Sequence, residues 1–141
     1  MVDLRPAQTS DGRGLFVLVG EFPTPTLPDE KAFSACFRSK LSDPSSCVEL
    51  AENDQLLVGY ISGYCHPAFY AGGKVAWVDE VLVAAMFRRQ GIGRLLVQAF
   101  ERWAHEQDCV LVSLATADSG SFYERLGYSS KAGYYKKYLL K

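Results

Sequence analysis

Between Ile92 and Ala104 the apolar residues Ile92, Leu95, Leu96, Ala99, Phe100, Trp103 and Ala104 return every three or four positions. That spacing gathers them on one face of a helix of about four turns. Just before it the period is different. Val75 to Val83 reads as a strong strand, and Cys47 to Glu52 and Gln55 to Tyr64 read as two more, joined at Asn53-Asp54 as a hairpin. Val110 to Ala115 is a run of mostly β-branched and aliphatic residues with little alternation, the pattern of a buried strand. Strand, helix and strand therefore alternate at the centre of the chain, which predicts a mixed α/β fold.

The flanks are less regular. Residues 2 to 7 fit a short edge strand, and residues 10 to 20 hold an apolar run whose period does not choose between helix and strand. Pro23, Pro25 and Pro28 predict a rigid loop. Pro28-Asp29-Glu30 then opens a helix with acids against the dipole, followed by Phe33, Cys36, Phe37 and Leu41 at helical spacing. His66 to Gly73 is expected as a loop before the Val75 strand. Asp118 can cap a short helix that runs through Leu126 and stops at Gly127. Tyr128 and the Tyr134 to Leu140 segment read as closing strands.

Composition narrows the class without naming it. At 141 residues the length suits one domain over 1–141, 48% of positions are apolar, and the net charge of −1 gives no nucleic-acid or membrane surface. Met1 to Arg5 places charges where a signal peptide is apolar, so no targeting segment is expected. Cys36, Cys47, Cys65 and Cys109 stand far apart, without C-x-x-C or a nearby histidine in ligand spacing. They read as reduced thiols in a cytoplasmic protein with no metal.

The candidate chemistry sits where the Val75 strand meets the long helix. There Arg88-Arg89-Gln90-Gly91-Ile92-Gly93-Arg94 puts two glycines and three arginines at a strand-to-helix turn. Backbone N–H groups at such a turn form an anion site, and glycine lets a phosphate approach closely. Two phosphate motifs fail. A P-loop needs Ser or Thr after the lysine, but Lys74 precedes Val75, and Ala68 stands at the first glycine's place. A dinucleotide fingerprint needs a third glycine where Leu96 stands.

Arg88-x-x-Gly91-x-Gly93, with a strand before it and an amphipathic helix after it, resembles motif A of the GNAT superfamily of acyl-CoA-dependent N-acyltransferases. Ser121-Phe122-Tyr123-Glu124-Arg125-Leu126-Gly127-Tyr128 resembles that family's second signature. The resemblance implies a twisted, mostly antiparallel sheet flanked by helices and splayed between strands 4 and 5, with acetyl-CoA as co-substrate. It places the CoA pyrophosphate on the Arg88, Arg89, Gln90, Gly91, Ile92, Gly93 and Arg94 turn, and the pantetheine arm along the backbone of Val81, Leu82 and Val83. It makes Tyr123 the acid for the departing thiolate, and puts Thr116 where the family often has an asparagine that holds the pantetheine arm. Asp79 and Glu80 are the carboxylates placed to take a proton from the acceptor, a primary amine of a small molecule or peptide. On a regular strand they point to opposite faces, so at most one meets the amine directly. The Tyr64 to Tyr70 loop and the Phe22 to Leu27 segment are expected to flank the acceptor mouth, where aromatics suit a cationic amine. His66 is a lesser candidate base and His105 a surface residue. A homodimer is common in the family, and Tyr134, Tyr135 and Tyr138 suit either strand packing or a dimer contact. Two alternatives stay open: a non-catalytic acyl-CoA sensor, and an enzyme using a longer acyl-CoA.

Overall fold

The structure, a computed structural model, describes residues 1–24 and 27–140. Pro25 of the predicted rigid loop, Thr26 in the expected acceptor mouth, and Lys141 lie outside the described residues. Five strands, β1 (Val2–Pro6), β2 (Ser46–Asn53), β3 (Leu56–Ala68), β4 (Gly73–Val83) and β5 (Cys109–Leu114), form one sheet in the order β1-β2-β3-β4-β5. All neighbours are antiparallel except β4 and β5, which are parallel. Among the described residues four α-helices accompany it: α1 (Gly12–Val19), α2 (Glu30–Ser42), α3 (Ile92–Glu106) and α4 (Gly120–Arg125). The ambiguous run at residues 10–20 is thus a single 3-10 turn leading into a helix. Asp29 caps α2, its Oδ1 accepting from Ala32 N at 2.7 Å.

The sheet separates two apolar clusters. On one face α3 lays Ile92, Leu96, Val97 and Phe100 against Val58, Ile61, Ala76 and Val78. On the other, α1 and α2 bring Leu15, Leu18 and Phe37 onto Val48, Leu50, Tyr60 and Leu82. Both stripes follow from the helical spacing of these residues, and each removes its apolar area from water.

Several expectations are corrected. The hairpin turn is Asp54-Gln55, both left-handed (φ 50° and 69°), the geometry that matches the twist of a two-residue hairpin. β3 continues through His66, Pro67 and Ala68, which pair with Val75, Lys74 and Gly73, so this stretch is strand and not loop. Pro67 is tolerated because β2 has ended at Ser46, opposite Tyr64, which leaves that edge free of a ladder needing its missing N–H. β5 is not a buried strand: it is an edge strand, with Val110 57% exposed and its outer side uncovered. Ser119, rather than Asp118, occupies the N-cap position of α4. Tyr128 and residues 134–140 form no strand, and Tyr134, Tyr135 and Tyr138 are exposed. Tyr128 is held elsewhere, its hydroxyl donating to Glu101 Oε2 on α3 at 2.7 Å.

One ion pair ties the β1 end of the sheet to the first helical turn. Arg5 donates from Nη1 and Nη2 to both Asp11 oxygens at 2.9 and 2.8 Å, and also reaches Glu52 on β2. The guanidinium bond holds the Asp11 carboxyl below its ordinary value of 3.8. A depressed carboxylate contributes stability above its unfolded pKa and loses it as pH falls through the folded one. Asp11→Asn is therefore expected to cost about 1–2 kcal/mol at neutral pH, because the Arg5 side of the pair is partly solvated. That difference should fade as the pH falls well below the ordinary 3.8, through the lowered Asp11 value. Urea unfolding of both proteins at neutral pH and along this acid range checks it.

Candidate active site

β4 pairs with β5 only from Lys74 to Val78, opposite Cys109 to Leu114. It then runs on through Val83, paired among the described residues with β3 alone. From Asp79 to Val83 the β5-side edge is therefore open to another extended chain, which could bond to its backbone as an added strand would. Val81 and Val83 pack with the α3-side cluster, whereas Leu82 belongs to the α1–α2 side. The Val83 carbonyl is occupied in this structure: Arg88 Nε donates to it at 2.9 Å.

The turn that follows suits an anion. A single 3-10 turn (Ala85–Phe87) leads to Arg89 and Gly91, both left-handed at φ 64° and 82°. α3 begins at Ile92, so the amides of Ile92, Gly93 and Arg94 stand at its N-terminus, before the first intrahelical bonds close. Gly91 has open space around its missing β-carbon, and its φ disfavours any side chain. At Gly93 a β-carbon would make only an ordinary contact with the Phe122 ring at 3.5 Å, so packing within the chain does not by itself demand glycine there. Arg88, Arg89, Gln90 and Arg94 are exposed around this turn. The set of free amides, glycine-lined space and arginines fits a pyrophosphate.

α4 brings Tyr123 to the same side of the sheet. Its ring lies edge-on to Phe122 (centroids 4.9 Å apart) and to Tyr128 (5.8 Å), within the cluster that includes Val81 and Val83. Burial pushes the Tyr123 phenol above its ordinary value, so it is protonated at neutral pH and able to donate. Gly127, at φ 95°, lets the chain leave α4. Thr116 Oγ1 accepts from Ser119 N at 3.0 Å and so shapes the turn into α4, while its hydroxyl proton remains available.

Asp79 and Glu80 depart from the regular alternation. Gly63 pairs with Val78 and Ser62 with Glu80, so Asp79 is an extra residue, a β-bulge in β4. Before it Ala76 and Val78 face α3, and after it Leu82 faces α1 and α2. Both carboxylates find partners from the α1–α2 side: Lys40 Nζ lies 3.4 Å from Asp79 Oδ2, and Tyr60 donates its hydroxyl to Glu80 Oε1 at 2.7 Å. The bulge thus overturns the expectation that the pair points to opposite faces. Desolvation, reinforced by the Glu80 charge, pushes the Tyr60 phenol far up and keeps it a donor.

Three polar residues that the sequence reading did not single out join this side: Lys40, Tyr60 and Ser62. Tyr60 and Ser62 alternate along β3 opposite Leu82 and Glu80, a signal visible once the hairpin register is known. His66 stacks on Tyr64 (5.5 Å between centroids) and is exposed, as is His105 on α3. Phe22 packs against the α1–α2 cluster, and Leu27 is exposed. All four cysteines are free thiols, and burial pushes Cys47 up to about 12. Among the described residues no group of three or more His, Cys, Asp or Glu could hold a metal ion. No described helix is long and apolar enough to cross a membrane.

Known proteins share this fold. Residues 13–128 match the Acetyltransferase (GNAT) family. The chain is 30% identical over 130 residues to an aminoalkylphosphonate N-acetyltransferase of Salmonella typhimurium, covering 89% of this chain and 84% of that one. In fold it is similar to glucosamine-6-phosphate N-acetyltransferase from Arabidopsis thaliana, with TM-score 0.86, 23% identity and 99% of both chains covered. It is also similar in fold to AAC(6')-Iy in complex with the bisubstrate analog CoA-S-monomethyl-acetylneamine, with TM-score 0.79, 18% identity, and 98% and 99% of the two chains covered. A match over most of the chain to the family, with its splayed β4–β5 pair and glycine turn in place, makes this protein a member of the Acetyltransferase (GNAT) family and an acyltransferase.

Proposed function

We propose that the protein transfers the acetyl group of acetyl-CoA directly to a small primary amine in a ternary complex. The observation that carries this reading is the open Asp79–Val83 edge of β4, with Tyr123 on one side of the strand and the Asp79–Glu80 bulge on the other. The amides from Arg89 to Arg94 hold the pyrophosphate, and the backbone of Val81 and Val83 bonds the pantetheine arm. A backbone N–H on this open edge polarises the thioester carbonyl and stabilises its developing negative charge. Arg88 releases the Val83 carbonyl as the arm docks.

An amine of lysine type titrates near ~10.4, so stripping its proton at neutral pH costs roughly 4–5 kcal/mol. The Asp79–Glu80 pair supplies the carboxylate that takes this proton, with the bulge letting both face the amine. As the nitrogen bonds to the carbonyl carbon and the carbon–sulfur bond breaks, Tyr123 delivers its proton to the leaving sulfur. No covalent enzyme intermediate is needed. The names of the relatives, which span aminoalkylphosphonate, amino-sugar phosphate and aminoglycoside chemistry, support an amine acceptor of small size.

Calorimetric titration with acetyl-CoA tests the donor site. The wild type is expected to bind saturably, and an Arg89→Glu/Gly91→Glu double variant to lose binding by at least about 10²-fold, since it puts two carboxylates where the pyrophosphate lies. Absence of binding at millimolar ligand would overturn the reading. Tight binding without CoA release across an amine panel would make the protein a sensor instead.

A further inference from the structure

The two bulge carboxylates hold partners of different kinds. Asp79, the more exposed of them, meets a cation: Lys40, in the last turn of α2, places its Nζ 3.4 Å from Asp79 Oδ2. Glu80 is half-buried and meets a neutral donor, the Tyr60 hydroxyl, 2.7 Å from its Oε1. Burial keeps that phenol protonated, so it orients the carboxylate without cancelling its charge. Among the described residues no cation lies within ion-pair distance of Glu80, and its Oε2 accepts from no other side chain. Two carboxylates and one ammonium leave this corner a single negative charge, and the pairing assigns that charge to Glu80. An acceptor ammonium is drawn to the unmatched charge, whereas at Asp79 it competes with Lys40 for the same oxygens.

Tyr60 is built to hold still. It is 2% exposed, clustered with Val48, Leu50 and Leu82 under α1 and α2, and it stands on β3 diagonally across from Glu80. Its ring is locked by that packing, so its hydroxyl is a fixed anchor for the longer and more flexible glutamate. With Oε1 anchored, Oε2 is left to receive a proton. Ser62, the next β3 residue on this face and directly opposite Glu80, has a buried hydroxyl with no hydrogen-bond partner among the described residues. Such a group is rare, and it leaves a bond free for the amine or for a water between amine and carboxylate. Resting on the acetyltransferase reading above, we infer that Tyr60 is the positioning residue that makes Glu80, and not Asp79, the base. The amine proton passes to Glu80 Oε2 so that the nitrogen can bond to the acetyl carbon, while Lys40 keeps Asp79 out of the transfer. Tyr60 touches neither the amine nor acetyl-CoA and acts only through Glu80.

Three substitutions test this division of roles. Transfer is read as CoA release with propylamine, ethanolamine, glucosamine and spermidine, and kinetics are taken on whichever the wild type uses fastest. Glu80→Gln is expected to lower kcat by about 10²- to 10⁴-fold, the contribution of a positioned base. Asp79→Asn should lower it by less than about tenfold, since it removes only a solvated ion pair. Tyr60→Phe keeps the ring and removes the hydroxyl. It is expected to lower kcat by about tenfold, the worth of one hydrogen bond to a charged group, without moving the KM for acetyl-CoA. It should also move the acid limb of kcat/KM to higher pH, because a lost donor disfavours the charged form of the carboxylate it served. The charged groups beside Glu80 are Lys40 from α2 and Asp79 on its own strand, both intact in this variant. On the same face β3 carries Tyr64 and His66 farther along, while α1 and β2 bring the apolar Leu15, Leu18, Val48 and Leu50. The pH at which a limb falls does not depend on how much of the protein is folded, so a destabilised variant still reports. An acid limb that stays in place in Tyr60→Phe, or a loss in Asp79→Asn as large as in Glu80→Gln, overturns the inference and leaves acetyl transfer standing. Transfer to none of a broad panel of primary amines, these included, by protein that binds acetyl-CoA overturns the acetyltransferase reading and this inference with it.

Discussion

Tyr123→Phe is expected to lower kcat by about 10²- to 10⁴-fold, the usual contribution of a positioned proton donor. The KM for acetyl-CoA should stay close to that of the wild type. The phenylalanine ring keeps the edge-on contacts with Phe122 and Tyr128, so the α4 packing beside Val81 and Val83 survives. Only the hydroxyl is lost. Burial raises the Tyr123 phenol, so in the wild type this group stays protonated up to and beyond its ordinary ~10. Any fall in kcat caused by its ionisation lies on that far alkaline side and should vanish in the variant. Steady-state kinetics over a pH series, with calorimetry for acetyl-CoA, decide the point. Equal losses in turnover and binding would show that the hydroxyl serves coenzyme binding and not proton delivery.

Gly63→Ala should have the largest effect on stability. A β-carbon at Gly63 would stand 2.6 and 2.7 Å from two ring atoms of Phe100 and would overlap the Trp77 carbonyl oxygen. The ring belongs to the fully buried Phe100 and the carbonyl to the neighbouring strand, so neither can swing away. Overpacking of this kind costs about 3 kcal/mol, which for a chain of this length is a melting-temperature drop of roughly 10 °C. Gly63 also lies at the register shift that creates the bulge, so the strain falls on Asp79 and Glu80. Transfer activity of the folded fraction should decline as well. A melting temperature within about 2 °C of wild type would mean that the strands part easily there, and that the bulge is held by something else.

Much of the fold is written in the chain at short range. The α3 stripe, the capped start of α2 and the glycine turn at Gly91 each rest on local spacing that no distant contact overrides. The Phe122-Tyr123 segment and its Gly127 stop are legible in the same way. What escaped is register. Ala76, Trp77 and Val78 are all apolar, so the strand shows no break in alternation where Asp79 enters, and the shared side of the two carboxylates is invisible without β3 beside them. Lys40 is hidden for the same reason, since only packing of α2 on the sheet brings it to Asp79, 39 positions along the chain. The closing strands predicted at Tyr128 and 134–140 failed differently. Tyr134, Tyr135 and Tyr138 give strand propensity, but a strand also needs a ladder, and these residues make none.

The sheet's two apolar clusters have a consequence for how such a protein changes over time. On the proposed reading, donor recognition draws on the α3 face and acceptor recognition on the α1–α2 face, with the strands as a wall between them. Substitutions on opposite sides of that wall that share no partner should combine additively. A lineage can then drift at Phe33, Phe37 and Leu41 and acquire a new amine without renegotiating its hold on coenzyme A. Heredity can treat the two halves of the core as separate characters.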